Sequence, residues 1–183
     1  MPGIPGVSLQ AARAGIKYPG RDDLLLVTLG RGTTVAGVFT RSATASAPVQ
    51  WSKKVAASGK ASAILVNSGN ANTFTGSRGV ADVRSTATMA GRVVGCRRSD
   101  VLIASTGVIG ELLPVDRMQR ALAGIQRGRR PASWIRAARA IGTTDTYPKG
   151  AVRRTQIGDT DVCLCGIAKG SGMIAPDMAT MLA

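Results

Sequence analysis

SDVLIASTGVIGELLPVDRMQRALAGIQRG, residues 99–128, changes its period halfway along, and that change decides the fold class. The run VLIAS is continuously apolar until it enters a loop of small polar residues and glycine, the pattern of a buried strand. Pro114 then opens a segment with Asp116 in its first turn and Gly128 beyond its last. Proline at the start and glycine past the end mark a helix. The same order occurs just before. KASAILVNSGNAN (60–72) reads as a buried strand emptying into a polar turn. ADVRSTATMAGRVVG (81–95) repeats apolar residues at Val83, Ala87, Ala90 and Val94, one face of a helix, with Arg84 and Arg92 directed away from it. PASWIRAARAIG begins a further helix at Pro131.

Hairpin signals flank this alternation. DDLLLVTLG (22–30) and TTVAGVFTR (33–41) are expected to pair through GRG, and AVRRTQIGDTDVCLCGIAKG (151–170) to form two strands around GDTD. Strands and helices intermix, so the expected class is α/β, a mixed α+β layered sandwich. The 183 residues suffice for one domain with a proper core.

Composition narrows the chemistry. The chain has no histidine, which removes Ser–His and Cys–His catalysis, histidine–metal sites and histidine pH switching. Glu111 is the one glutamate among ten acidic residues, so a paired-carboxylate hydrolase is poorly supplied. Cys163 and Cys165 share a strand face in VCLCG but lack the partners a metal needs. With Cys96 they read as small buried thiols of a reducing compartment. No apolar run approaches the ~18 residues of a membrane span, and MPGIPGVSLQAARAG is no secretory signal, so a soluble cytoplasmic protein is expected.

The formal charge of +14 invites a nucleic-acid reading, with its densest patch at Arg127, Arg129, Arg130, Arg136 and Arg139. Only 3% of residues are aromatic, so base-stacking platforms are scarce and nucleic acid is not the expected partner. A basic nucleic-acid-binding domain and a remnant without chemistry remain alternatives at this stage.

Three strand ends finish in small polar residues and glycine: VNSGNANTFTG, IASTGVIG and GIAKGSGM. Ser105–Thr106–Gly107 could present donors to a developing oxyanion, and Lys169 a cation to a carboxylate substrate. Thr180, near the end of KGSGMIAPDMATMLA (169–183), offers a route around the missing histidine. A threonine freed by cleavage of the bond before it has its own α-amino group as base, with a pKa of ~7.7–8.0.

These segments resemble the ornithine acetyltransferases (glutamate N-acetyltransferases) of arginine biosynthesis. GVFTRS, VNSGNAN with FTG, IASTGVIG, TTDT and KGSGMIAPDMATML stand in that family's order and roughly at its spacing, from about residue 15 onward. The resemblance implies an N-terminal-nucleophile-like acetyltransferase fold with its own topology, and a precursor that cleaves itself between Ala179 and Thr180. Residues 1–179 would be the α chain and 180–183 the start of the β chain.

Thr180 would carry the acetyl group, Thr106 and Gly107 would stabilise the oxyanion, and Thr143 and Lys169 would contact substrate with Thr180. The implied reaction moves acetyl from N2-acetylornithine to glutamate. It needs no cofactor, and acetyl-CoA is an alternative donor in some members. The implied partner is the β chain in an α2β2 heterotetramer, without a membrane. Gly142 and Asp177 depart from the usual residues, and three residues follow Thr180 where the family has a long β chain. The chain alone is therefore expected to be inactive.

Overall fold

The computed structural model of the protein describes residues 1–128, 131–171 and 180–183. Four strands, β1 (Val7–Ala12), β2 (Leu24–Leu29), β3 (Ala63–Asn70) and β4 (Val101–Val108), form one sheet in the order β1-β2-β3-β4. The first two pairings are antiparallel, and β3–β4 is parallel. A parallel neighbour needs a crossover, supplied here by helix α2 (Gly76–Val94). Strands covered on both faces read as apolar runs rather than alternations. Leu24, Leu25 and Leu26 of β2, each at most 1% exposed, show this directly.

On one face, Leu24, Leu26, Ala63, Leu65, Val101 and Ile103 pack against Val83, Ala87 and Ala90 of α2. Met118, Leu122 and Ile125 of α3 (Val115–Gly128) complete that layer. On the other, Leu9, Leu25 and Val66 meet Ala137, Ala140 and Ile141 of α4 (Trp134–Ile141), whose N-cap Ser133 accepts from the Arg136 amide. Beyond α4 lies the hairpin β5 (Lys149–Ile157) and β6 (Thr160–Ala168). Each fully buried leucine contributes about 1.5–3 kcal/mol. The expected layered α/β sandwich is what forms.

Helix α1 (Ala47–Ala56) closes the open edge at β4. Trp51 Nε1 donates to the Val101 carbonyl at 2.9 Å. Ser52 Oγ donates to the Ile103 carbonyl at 2.6 Å and accepts from the Ile103 amide at 2.8 Å. One buried hydroxyl thus satisfies both outward backbone groups of that residue, which an edge strand otherwise leaves unpaired. Ser52→Ala strands a buried donor and a buried acceptor at once. It is expected to destabilise by about 2–4 kcal/mol in urea unfolding, because each orphaned group costs about 1–3 kcal/mol.

Two sequence expectations need correction. Residues 33–41 do not form a hairpin with β2: β1 occupies one edge of β2 and β3 the other, so no edge is left to pair. That segment makes only the isolated bridge Thr34–Lys60, and Val38 is fully exposed. Cys163 and Cys165 do share a face, with Sγ atoms 4.0 Å apart, but both are half-buried, as is Cys96. The hairpin carrying the pair is open on its outer side, where Ile157 and Leu164 are more than half exposed.

β1 and α1 carried too weak a pattern to be expected. α3 runs one residue further than predicted and includes Gly128. Among the described residues no helix is long and apolar enough to cross a membrane.

Candidate active site

The parallel pair β3–β4 ends where its backbones come closest. Gly69 and Gly107 are in register, and a β-carbon on Gly107 would lie 2.3 Å from the Gly69 carbonyl carbon and 2.5 Å from the Asn70 amide nitrogen. The φ of Gly107 is also +133°, so only glycine serves there. At Asn70 a bulge shifts the register, and the segments that follow are tied by Ala71 N to Val108 O at 2.8 Å and Gly110 N to Thr73 O at 2.9 Å. Phe74, at φ +58° in this region, is backbone strain of the kind that clusters at functional sites.

A buried polar network holds the crossing from the α2–α3 side. Ser105 Oγ donates to Asn67 Oδ1 at 2.6 Å, and Asn67 Nδ2 donates to the Asn70 carbonyl at 2.8 Å. Asn70 Nδ2 reaches the Glu111 and Leu112 carbonyls, and its Oδ1 accepts from the Asn72 amide. A fully paired network of this kind makes the loops rigid.

Lys169 follows β6 directly and is 3% exposed. Its Nζ donates to Thr106 Oγ1 and to the Thr180 carbonyl, both at 3.1 Å. Its amide donates to the Leu182 carbonyl at 2.8 Å, so residues 180–182 return to the end of β6. Burial lowers the pKa of the Lys169 ammonium; the Asp145 carboxylate opposes that effect and Lys149 adds to it. Thr106 Oγ1 spends a lone pair on Lys169, which leaves its own hydrogen free to donate elsewhere.

Thr143 joins the group through Asp145. Asp145 Oδ2 accepts from the Thr143 amide at 3.2 Å. Its Oδ1 accepts from the Gly170 amide and from Lys149 Nζ, both at 2.8 Å. Arg21 donates to the Gly142 and Thr143 carbonyls from the far side. One carboxylate therefore ties the TTDT loop to the residue after Lys169.

The structure thus brings Thr106, Lys169 and Thr180 into one hydrogen-bonded group, with Gly107 beside it and Thr143 one carboxylate away. Ala179, the other side of the expected cleavage bond, lies outside the described residues, as do Gly172 and Asp177. Asp145 was quoted within TTDT but given no role by sequence reasoning. The signal was present: an acidic residue two positions after Thr143 in a chain poor in carboxylates.

Burial alone would raise the Asp145 carboxyl, but bonds from Lys149, Gly170 and Thr143 outweigh it and hold the pKa at about 2. A depressed carboxyl stabilises the fold above its unfolded value of ~3.9 and loses that contribution as pH falls through the folded one. Acid unfolding between about pH 4 and pH 2 should therefore be shallower in Asp145→Asn than in the parent. At neutral pH the variant should be less stable by about 2 kcal/mol.

A separate open cleft of about 700 Å³ lies between β1, α3 and α4. Two of its arginines are committed: Arg136 to Asp22 at 2.6 Å and Arg120 to Asp116 at 2.9 Å. Arg136 belongs to the basic patch singled out from sequence; Arg129 and Arg130 of that patch lie outside the described residues.

Residues 8–183 match the model of the ArgJ family. The chain belongs to the ArgJ family. The arginine biosynthesis bifunctional protein ArgJ of Mesorhizobium japonicum is 52% identical over 182 residues, all of this chain but 44% of that protein. Its counterpart from Gluconobacter oxydans is 51% identical over 180 residues, 98% of this chain and 42% of that protein. The chain thus spans less than half the length of the curated ArgJ relatives it matches.

Among solved structures, ArgJ from Bacillus halodurans superposes with a TM-score of 0.83 at 33% identity, covering 97% of this chain and 92% of that one. The ornithine acetyltransferase of Mycobacterium tuberculosis, solved with ornithine, gives 0.84 at 34% identity, covering 97% and 93%. The α/β arrangement described above is the one these ArgJ chains share.

Proposed function

We propose that this chain supplies the α part of a glutamate N-acetyltransferase. Residues 1–179 would form that part, and the acceptor, Thr180, would begin the β chain with which it works. The observation that carries the reading is the meeting of Thr106 with Lys169 and Thr180, which lie 63 or more residues further along the sequence, on one buried ammonium. The lengths of the relatives support it. The curated proteins are more than twice as long as this chain, whereas the solved chains are nearly the same length as it. A division of the precursor near residue 180 accounts for both.

Self-cleavage begins when Thr180 Oγ attacks the Ala179 carbonyl carbon. The acyl group passes from nitrogen to oxygen, and water then hydrolyses the ester, leaving the Ala179 carboxylate and a free Thr180 amine. In the transfer, Thr180 Oγ attacks the acetyl carbonyl of N2-acetylornithine while the α-amino group accepts the hydroxyl proton. The Thr106 hydroxyl and the Gly107 amide face the developing oxyanion, and Lys169 holds Thr106 in that orientation. Ornithine leaves with the proton returned to its amine. The amine of glutamate then attacks the acetyl-threonine ester, the ester C–O bond breaks, and the α-amino group passes the amine's proton to Thr180 Oγ as acetylglutamate leaves. Thr143 and Lys169 hold the substrates, and no cofactor enters.

The chain ending at residue 183 is proposed to be inactive by itself, and the assembly an α2β2 tetramer in the cytoplasm. Intact mass of the full gene product tests the reading. A species ending at Ala179, co-purifying with one that begins at Thr180 and makes acetylglutamate from acetylornithine, is the expected result. An uncleaved product without acetyl transfer would overturn it.

A further inference from the structure

Ser68 is 1% exposed, and its Oγ has no hydrogen-bond partner among the described residues. The polar side chains beside it in the β3 sequence, Asn67 and Asn70, are paired, as is Ser105 on β4. Ser68 is in register with Thr106 on the parallel neighbour β4. Residues in register on adjacent strands project to the same face, and successive residues alternate. Ile64 and Val66 of β3 and Ala104 of β4 pack on the α4 side, whereas Leu65 and Ile103 pack on the α2–α3 side. Alternation therefore places Ser68 and Thr106 together on the α4 side, where Lys169 donates to Thr106.

A buried hydroxyl without a partner costs free energy, and native proteins keep few of them. A buried serine whose polar neighbours on β3 are already paired, itself without a partner among the described residues and next to the proposed oxyanion threonine, has a hydrogen-bonding capacity that a ligand can satisfy. The other buried polar atom without a partner among the described residues, Asp82 Oδ2, is explained within the protein: Arg78 holds the second oxygen of that carboxylate. Among the described residues nothing comparable serves Ser68.

We infer that Ser68 contacts substrate, its hydroxyl bonding a carbonyl or carboxylate oxygen of the acyl donor or acceptor beside Thr106, Lys169 and Thr180. The inference rests on the acyl-transfer reading above. The class of ligand atom follows from the neighbourhood: an ammonium and two hydroxyls on one face attract oxygen acceptors.

The test pairs stability with kinetics in the full gene product carrying Ser68→Ala. A hydroxyl bonded inside the protein stabilises it, so its removal lowers Tm. A hydroxyl waiting for substrate does the opposite. The expected result is a Tm equal to the parent's or up to a few degrees higher. With it, kcat/KM for acetyl transfer should fall about 10- to 100-fold, the range for one hydrogen bond to a charged or developing-charge oxygen. Ser68→Cys, nearly the same shape with a weaker donor, should give an intermediate rate.

An unchanged kcat/KM in Ser68→Ala overturns the inference whatever happens to Tm. A lower Tm does the same, since it reveals a partner or bound water inside the protein. If the parent protein moves no acetyl at all, the acyl-transfer reading fails first, and Ser68 loses its proposed ligand with it.

Discussion

Thr180→Ala in the full gene product should remain one uncleaved polypeptide and lose acetyl transfer by about 10⁴-fold or more. Removing a covalent nucleophile removes the intermediate itself, and single losses of this kind in enzymes reach about 10⁶ in kcat. The fold should survive, because Thr180 is half-buried and meets Lys169 through its carbonyl, which alanine keeps. Thr180→Ser keeps the hydroxyl and should retain both cleavage and transfer at a reduced rate, since the unbranched side chain is freer at χ1. Mass spectrometry for cleavage and product analysis for acetylglutamate separate the two activities. Cleavage of Thr180→Ala at this bond would refute the assigned nucleophile.

Gly107→Ala should be the most damaging single-atom addition near the site. The new methyl would fall 2.3 Å from the Gly69 carbonyl carbon and 2.5 Å from the Asn70 amide nitrogen. Both obstacles are backbone, and the backbone there belongs to a parallel strand pair that cannot yield without breaking register. The φ of +133° adds strain for any side chain. Overpacking of about 1–3 kcal/mol and strain of about 1–3 kcal/mol together predict a loss of about 3–5 kcal/mol. That corresponds to a Tm lower by roughly 10 °C or more. Gly110→Ala is the control: its φ of +84° is strained but nothing lies within 4 Å, so it should cost only about 1 kcal/mol. Equal Tm values for the two variants would sink the argument from close approach.

The residues of the site were legible because glycine and small polar residues at the ends of apolar strands have few purely structural reasons to cluster. Thr106, Gly107 and Lys169 were named from loops of that type, Thr180 from the missing histidine, and Thr143, which follows a helix, from the resemblance. Oxyanion donors at Thr106 and Gly107, a substrate cation at Lys169 and a self-based nucleophile at Thr180 were readings of the residues. The acetyl-transfer reaction and the substrate contact of Thr143 came only from the resemblance, since spacing alone does not distinguish a strand end from an oxyanion hole. Lys169 illustrates the limit. In sequence it reads equally as a solvated lysine; packing buries it and gives its ammonium a hydroxyl and a carbonyl. Asp145 and Ser68 escaped notice because their meaning lies in what surrounds them. A carboxylate two residues from Thr143 becomes a tie only when Gly170 arrives beside it. A serine becomes an orphan among the described residues only when its polar neighbours Asn67, Asn70 and Ser105 have been paired elsewhere.

The strand-to-helix alternation through residues 60–128, the apolar faces of α2 and α3, the β5–β6 hairpin and the absence of histidine chemistry were determined by the sequence itself. Each rests on periodicity, turn residues or composition, which act over a few residues and need no knowledge of the rest of the chain. The partners of β2, the covering of the β4 edge by Ser52 and Trp51, and the meeting of Thr106, Lys169 and Thr180 were decided only in the tertiary structure. Local pattern says that a strand exists but not which edge it will find free. β2 pairs with β1 and β3 because those strands fill both edges with matched apolar faces, which leaves residues 33–41 outside the sheet. The site follows from the same choice, since β3 and β4 in parallel register set Thr106 where the end of β6 brings Lys169 to meet it.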